Sequence, residues 1–292
     1  MHSFTIKDLE NLSGIKAHTI RIWEQRYSFL KPERTDTNIR YYSDGELKQL
    51  LNIALLNRYG YKISHIDKMN AGEIKEKILS LSQLEAQQDR IVNDLIQHMI
   101  DLNGQGFEAL LNSYIMSRGI EKTILQIIFP YLERIGILWL TNHINPAQEH
   151  LVANIIRQKL IVGIDAVIPS TQSSTSVLLF MPECEYHEIG LLFVHYLMKC
   201  RGINVIYLGC SIPIDDVEYV VRIKRPDHVF AHLTGPGQKF NFDKFMKSVT
   251  EKFHDISFII SGQITRGYHK KLLPSISFKR SFAEVMEFIA GL

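Results

Sequence analysis

Apolar positions recur at helical spacing over roughly the first two thirds of this chain and as short continuous runs over the last third. Ile6, Leu9 and Leu12 share one face of a short helix, Ser13-Gly14-Ile15 interrupts it, and Ile20 and Trp23 point inward from a second helix over Ala17 to Tyr27. Two short helices about a Gly-containing turn predict a helix-turn-helix. After Pro32, Arg34 to Tyr42 places turn formers in the middle and β-formers at the end, which reads as a hairpin. Ser43 followed three residues later by Glu46 is a capping box, opening a third helix that runs to about Tyr59. Lys68 to Glu76 is polar and broken by Gly72, so it reads as a linker with no heptad run in it.

From about Leu84 to Ile168 the helical period holds. Ile91, Leu95, Ile96 and Met99 are followed by Phe107, Leu110, Leu111 and Tyr114, then by Ile124, Ile127, Ile128, Tyr131, Ile135 and Leu138. The third of these helices spans Ile120 to Leu140 with a kink expected at Pro130. Asn145-Pro146 opens the fourth. Four helices with short connections predict a four-helix bundle.

Pro169 to Thr175, rich in serine and threonine, reads as a linker into the last region. Ser176 to Met181 is an unbroken apolar run of the buried parallel-strand kind. Further strands are predicted at Val205–Leu208, His228–Leu233, Ser257–Ile260 and Ile276–Phe278, alternating with helices at 214–223, 240–253 and from Phe282. Such alternation predicts a Rossmann-like parallel α/β sheet that binds ligands at the carboxyl ends of its strands. The fold class is thus multidomain: an α-helical winged helix-turn-helix (1–72), a four-helix-bundle cap (80–168) and a Rossmann-like domain (175–292).

Composition narrows the function classes. With 292 residues, 46% hydrophobic and 22% charged, the chain has the make-up of a soluble globular protein of two or three domains. The net charge of +2 points to neither nucleic acid nor membrane. Its distribution adds more: Lys16, Arg21, Arg26, Lys31, Arg34 and Arg40 stand against only Glu24, Glu33 and Asp36, a local excess suited to phosphates. No apolar run approaches the ~20 residues of a membrane span. Lys7, Asp8 and Glu10 interrupt the start, so no signal peptide is expected there. Cys184, Cys200 and Cys210 lack metal-ligand spacing and read as reduced thiols, which predicts a cytoplasmic protein.

The second helix carries His18, Thr19, Arg21 and Arg26, residues with reach to base edges and phosphates. Arg34, Arg40 and Tyr41 sit in the hairpin, where a wing would grip the backbone. Thr5-Ile6 to Leu9, Thr19-Ile20-Arg21-Ile22-Trp23-Glu24-Gln25-Arg26-Tyr27 and Asn38-Ile39-Arg40-Tyr41-Tyr42 together resemble the winged-helix domain of MerR-family regulators. That resemblance implies operator DNA as a partner, DNA contacts from Arg21, Arg26, Arg34, Arg40 and Tyr41 beside the helix residues His18 and Thr19, and a packing role for Trp23. It also implies a homo-oligomer, and without a coiled coil here the dimer or tetramer contacts must come from elsewhere.

Two further motifs lie downstream. Trp139 ends the third bundle helix, and Glu149-His150 opens the fourth. A Trp flanked by Glu and His at a bundle rim suits a flat apolar ligand, although a core Trp and a dipole-stabilising Glu explain the three residues taken alone. Glu185-Tyr186-His187-Glu188-Ile189-Gly190 follows the first predicted strand. There Glu185 can fix one nitrogen of His187 while the other addresses a metal, and Gly190 permits close approach to a bulky group. This loop resembles the Asp-x-His-x-x-Gly loop of cobalamin-binding Rossmann domains, whose histidine is cobalt's lower ligand. With the Trp and Glu-His motif, the chain resembles the cobalamin photoreceptor regulators (CarH-like) over nearly its whole length. The resemblance implies a corrinoid, adenosylcobalamin foremost, with His187 as the metal ligand. Trp139, Glu149, His150, Glu185, Gly190, Leu233 and Gly262 would surround it.

There are departures. Glu185 replaces Asp, Ala231-His232-Leu233 replaces Ser-x-Leu, Ser261-Gly262 replaces Gly-Gly, and Leu140 replaces the histidine that light-responsive members carry after the Trp, with His143 three residues beyond. Two functions remain in view: a corrinoid-controlled regulator working through oligomeric state, with light as a possible input, and a MerR-type regulator whose degenerate sensor serves oligomerisation or a protein partner. An enzyme is not expected. After the three domains nothing remains for a substrate barrel, and Gly235-Pro236-Gly237 lacks the Lys and Ser/Thr of a phosphate loop.

Overall fold

Thr5 and Asp8 cap each other's backbone at the start of α1 (Ile6–Ser13), and Gly14 ends it in the left-handed conformation, φ 74°. The computed structural model describes residues 4–140, 145–235 and 240–292, without the side chains of residues 137–140. The chain divides into two units, residues 1–155 and 156–292.

In the first unit, α2 (Ala17–Arg26) buries Ile20 and Trp23. β1 (Glu33–Arg34) pairs antiparallel with β2 (Arg40–Tyr41), the predicted hairpin. Ser43 and Glu46 form the predicted box at the head of α3 (Asp44–Arg58). Beyond the short α4 (Ile63–Ile66) the structure corrects the sequence reading. Much of the supposed linker at 68–76 belongs to a helix, α5 (Ala71–Leu79). Asn70 Oδ1 accepts from the Glu73 N–H at 3.0 Å while the Glu73 carboxylate accepts from the Asn70 N–H at 2.8 Å. Ile74 and Ile78, one turn apart, are buried, and α5 packs on α3. Gly72 weakened the helical signal, but tertiary burial and a complete cap outweigh about 1 kcal/mol of propensity.

Helices α6 (Leu84–Ile100), α7 (Gly104–Thr123), α8 (Phe129–Leu140) and α9 (Pro146–Ala166) make up the predicted helical region. Gln148 reaches from α9 to the Ile100 carbonyl at the end of α6, 2.9 Å. Gly119 breaks the helical path with φ 80°, just before the predicted start of the third helix at Ile120, and Ile124–Ile128 forms a π-helical turn just ahead of α8. A wide turn there suits a proline that supplies no N–H to the ladder. The winged-helix elements are packed onto these helices, α3 against α6 and α1 against α8. Asp89 of α6 joins them. Its carboxylate accepts from Arg58 at 2.8 Å, Tyr59 at 3.1 Å and Arg134 of α8 at 2.9 Å.

The second unit contains a parallel sheet of β3 (Ser176–Pro182), β4 (Asn204–Ile212), β5 (His228–His232), β6 (Ser257–Ser261) and β7 (Ile276–Lys279), in the order β4-β3-β5-β6-β7. Chain order therefore reverses between β3 and β5. Val229 and Ala231 face one layer, with Val217 of α11 (Ile214–Lys224) and Phe245 of α12 (Phe242–Lys252). Phe230 faces the other, stacking on Phe288 of α13 (Phe282–Ala290), while Phe193 of α10 (Ile189–Cys200) stacks on Phe282. Side-chain alternation in β5 thus decides that His232 shares the face of Phe230, toward α10. Among the described residues no helix is long and apolar enough to cross a membrane.

Candidate functional site

The winged-helix surface and the strand ends of the sheet are the two places where candidate residues gather. On the first, His18, Arg21 and Arg26 are exposed along α2, with Thr19 half-buried and 3.3 Å from the His18 ring. Arg21 and Arg26 join no ion pair among the described residues. The wing is different. Arg40 Nε lies 2.8 Å from Glu24 of α2, Arg34 lies 3.4 Å from the same carboxylate, and the Tyr41 hydroxyl donates to Glu33. Arg40 consequently has its pKa raised, chiefly by the Glu24 hydrogen bond. Glu24 therefore pins the wing to the recognition helix, a role the sequence reading did not assign. Arg40 positions the wing as well as presenting charge.

The second place is built by the loop after β3. Pro182 ends the strand, Cys184 takes φ 66°, and the turn closes through the Glu185 N–H to the Pro182 carbonyl, 3.1 Å. This geometry turns the Glu185 side chain fully inward, at 0% exposure. Its Oε1 accepts from the His187 ring Nδ1 at 2.7 Å and from the N–H groups of Tyr186 and His187 at 3.0 Å each. Its Oε2 accepts from the Gly235 N–H at 2.8 Å, which ties the β3 loop to the β5 loop across the point of strand reversal. Burial opposes ionisation of Glu185, but the His187 ring and the two backbone donors His187 and Gly235 outweigh it and hold the carboxyl below its ordinary value. An ionised acceptor on Nδ1 fixes the tautomer and makes Nε2 the nitrogen that addresses a metal. The His187 side chain is 40% exposed, so the ring stands at the mouth of the strand ends rather than in the core. The extra methylene of Glu185 relative to Asp does not prevent the bond. A carboxylate–histidine pair of this kind fits the lower-ligand role for a cobalt corrinoid.

The other predicted residues take distinct places. Gly190 lies in the first turn of α10, and a Cβ there would come within 2.5 Å of the His232 ring. Leu233 is fully buried, and Gly262, at φ 115°, presses against the Leu233 carbonyl. Glu149 and His150 are adjacent on the first turn of α9, the His150 ring 3.4 Å from the Glu149 carboxylate. Trp139 falls in α8, but its side chain, like that of Leu140 and all of His143, lies outside the described residues.

Two networks were missed from sequence. Arg157 of α9 meets Glu188 at 2.6 Å, and Glu188 accepts from the Tyr207 hydroxyl of β4 at 2.8 Å. His195 stacks on the Tyr207 ring, and burial followed by the Lys199 charge lowers its pKa to about 4. In the other, His232 bridges hydroxyls of Ser261 and Thr234. Neither has a sequence signature, since Arg157–Glu188, Glu188–Tyr207 and His232–Ser261 pair residues of separate elements that only the fold brings together.

Residues 4–73 match the MerR HTH family regulatory proteins, and residues 91–162 match the B12 binding domain family. The chain is 28% identical over 233 residues to the HTH-type transcriptional repressor CarH of Myxococcus xanthus, covering 78% of this chain and 77% of that protein. To the repressor CarA of the same organism it is 27% identical over 237 residues, covering 77% and 74%. Its fold resembles that of the Methanosarcina barkeri monomethylamine corrinoid protein, with TM-score 0.53 and 11% identity over 70% of this chain and 100% of that one. This chain thus carries a MerR-type helix-turn-helix domain and a B12-binding module, and it is homologous to the CarH and CarA repressors.

Proposed function

We propose that this chain is a transcription regulator whose operator occupancy is set by a corrinoid, adenosylcobalamin foremost, bound at the strand ends of the Rossmann-like domain (175–292). The observation that carries the reading is the buried, ionised Glu185 clamping His187 at the strand reversal. His187 would take cobalt's lower face, and Glu185 would keep the ring oriented and basic. Trp139, Glu149 and His150 would cover the upper face. The corrinoid supplies a metal whose upper ligand can be exchanged, by light or otherwise. Corrinoid binding would create or remove an oligomerisation surface. Two weakly binding heads (1–72) joined in one dimer or tetramer gain avidity, so assembly alone can switch occupancy. Regulation rather than catalysis is its role.

Incubation of the purified protein with adenosylcobalamin in the dark, followed by desalting, tests this. Wild type is expected to stay coloured with a ligand-shifted spectrum, and His187→Ala to elute colourless. Equal retention by both would remove His187 from cobalt. A colourless wild type would favour the second reading, a degenerate sensor serving oligomerisation or a protein partner. The observation on that side is Ser261, whose hydroxyl is committed to His232 instead of facing a ligand. At the head, Arg21→Ala is expected to weaken operator binding and lower its salt slope by about one unit. An unchanged slope would exclude a phosphate contact.

A further inference from the structure

We propose that the outer face of α11 is a homodimer contact, against which a second copy of this chain lays its own α11 antiparallel about a two-fold axis. The contact stands apart from the corrinoid reading, since it belongs to the helix layer and not to the loop of Glu185 and His187. It supplies a dimer surface in a chain whose sequence shows no coiled-coil heptads after the head.

The faces of α11 differ in what they touch. Val217 is fully buried, and Ile214, Val220 and Val221 pack on the same core beneath the helix. On the flank toward α12 the charges are already paired. Lys252 of α12 bonds Asp215 at 2.7 Å and also Glu218, and Arg222 reaches back to Glu218. The remaining stripe is open. Tyr219 and Ile223, four residues apart and so aligned along the helix, are 67% and 58% exposed. Among the described residues they are the one pair of exposed large apolar side chains a single helical turn apart. Lone apolar residues are ordinary on a surface, whereas a tyrosine and an isoleucine in line make a continuous apolar seat.

The charges around that seat indicate what covers it. Asp216 stands exposed in the first turn of α11 and Lys224 stands exposed in the last. Neither joins an ion pair among the described residues. Lying about 12 Å apart along the axis, they cannot meet within one chain. A two-fold contact is isologous, so each contact made by one copy is returned by the other. With the axis crossing near Val220, midway between them, each aspartate faces the lysine of the other copy. Each Tyr219 ring then packs on the other copy's Ile223, and the helix dipoles run opposed. Parallel helices would set aspartate against aspartate, and a partner of one charge sign would leave one end of α11 opposed. The contact is small. One helix pair covers well under the ~800 Å² per partner of a standard interface, which gives reversible pairing in the micromolar range.

Sedimentation equilibrium of the full-length protein, without corrinoid and with adenosylcobalamin in the dark, tests this. Wild type without corrinoid is expected to dimerise reversibly, and Ile223→Asp to weaken that dimer at least about tenfold. Asp216→Lys sets lysine against lysine at both ends and is expected to weaken it about tenfold. Lys224→Glu, which sets acid against acid, is expected to do the same. The double variant Asp216→Lys with Lys224→Glu restores opposite charges and is expected to return to within about threefold of wild type. Circular dichroism checks that each variant is folded. Where a charged variant is not, Tyr219→Ser is expected to weaken the dimer about fivefold. A wild type still monomeric at about 100 μM, a dimer indifferent to the folded apolar variants, or a double variant no better than its singles overturns the proposal and leaves the corrinoid reading standing. A dimer that follows the expected pattern in a protein that binds no corrinoid upholds the contact and overturns the corrinoid reading alone.

Discussion

Asp89 in the first unit and Glu185 in the second are both carboxylates that gather several donors, yet they are built for different ends. Asp89 receives two arginines and a tyrosine, from the end of α3 and from α8, all of them side chains. Glu185 receives three backbone N–H groups, two from its own loop and one from the next, and a single side chain, His187. The first arrangement joins helices. The second holds a carboxylate still so that one imidazole is aimed outward. Who supplies the donors separates a joint from a site: side chains from many elements indicate assembly, and backbone donors around one orientable ring indicate preorganisation.

Breaking each carboxylate should show that difference. Asp89→Ala leaves Arg134, whose pKa burial already lowers, without its carboxylate partner and with only the Asn93 side chain to accept from it. The first unit is expected to lose about 3 kcal/mol in denaturant unfolding, and a loss below about 1 would mean the network is solvent-screened. Glu185→Gln is expected to cost corrinoid affinity 10- to 100-fold, about 1.4 to 2.8 kcal/mol, with a smaller effect on unfolding. The reverse order would make Glu185 a joint like Asp89.

Acidity should separate the units too. His195, packed against Tyr207 and near Lys199, has its pKa lowered to about 4 from an ordinary value near 6.5. The unfolded chain therefore binds the proton first, so stability is full above about pH 6.5 and falls as pH drops toward 4. The loss is expected to be about 2 kcal/mol in the second unit. His195→Phe should flatten the curve over that window, and an unaltered pH dependence would remove His195 as its source. The smallest effect is expected at Asn70→Ala, about 1 kcal/mol from the lost cap of α5. No change on that substitution would show that burial of Ile74 and Ile78 alone holds the helix.

The sheet and the head were legible to different depths for a physical reason. Buried parallel strands such as β3 are continuous apolar runs, and the box Ser43–Glu46 is local, so both were visible in the chain. The Glu185–His187 pair was also local, two residues apart, and the structure places them at 2.7 Å. Helix α5 was misread because Gly72 and a polar face hid a two-residue apolar contact. The wing arginines were read as DNA contacts, whereas Arg40 also pairs with Glu24, sixteen positions away.

Sequence alone determined the order of the domains, the cap of α3, the run of strands and the histidine with its acid, because each of these rests on neighbours within a few residues. Tertiary structure decided the third backbone donor from Gly235, the joint at Asp89 and the ring of His232 set against Gly190. Those depend on the reversal of strand order and on helix packing, which bring distant segments together and leave no periodic trace along the chain.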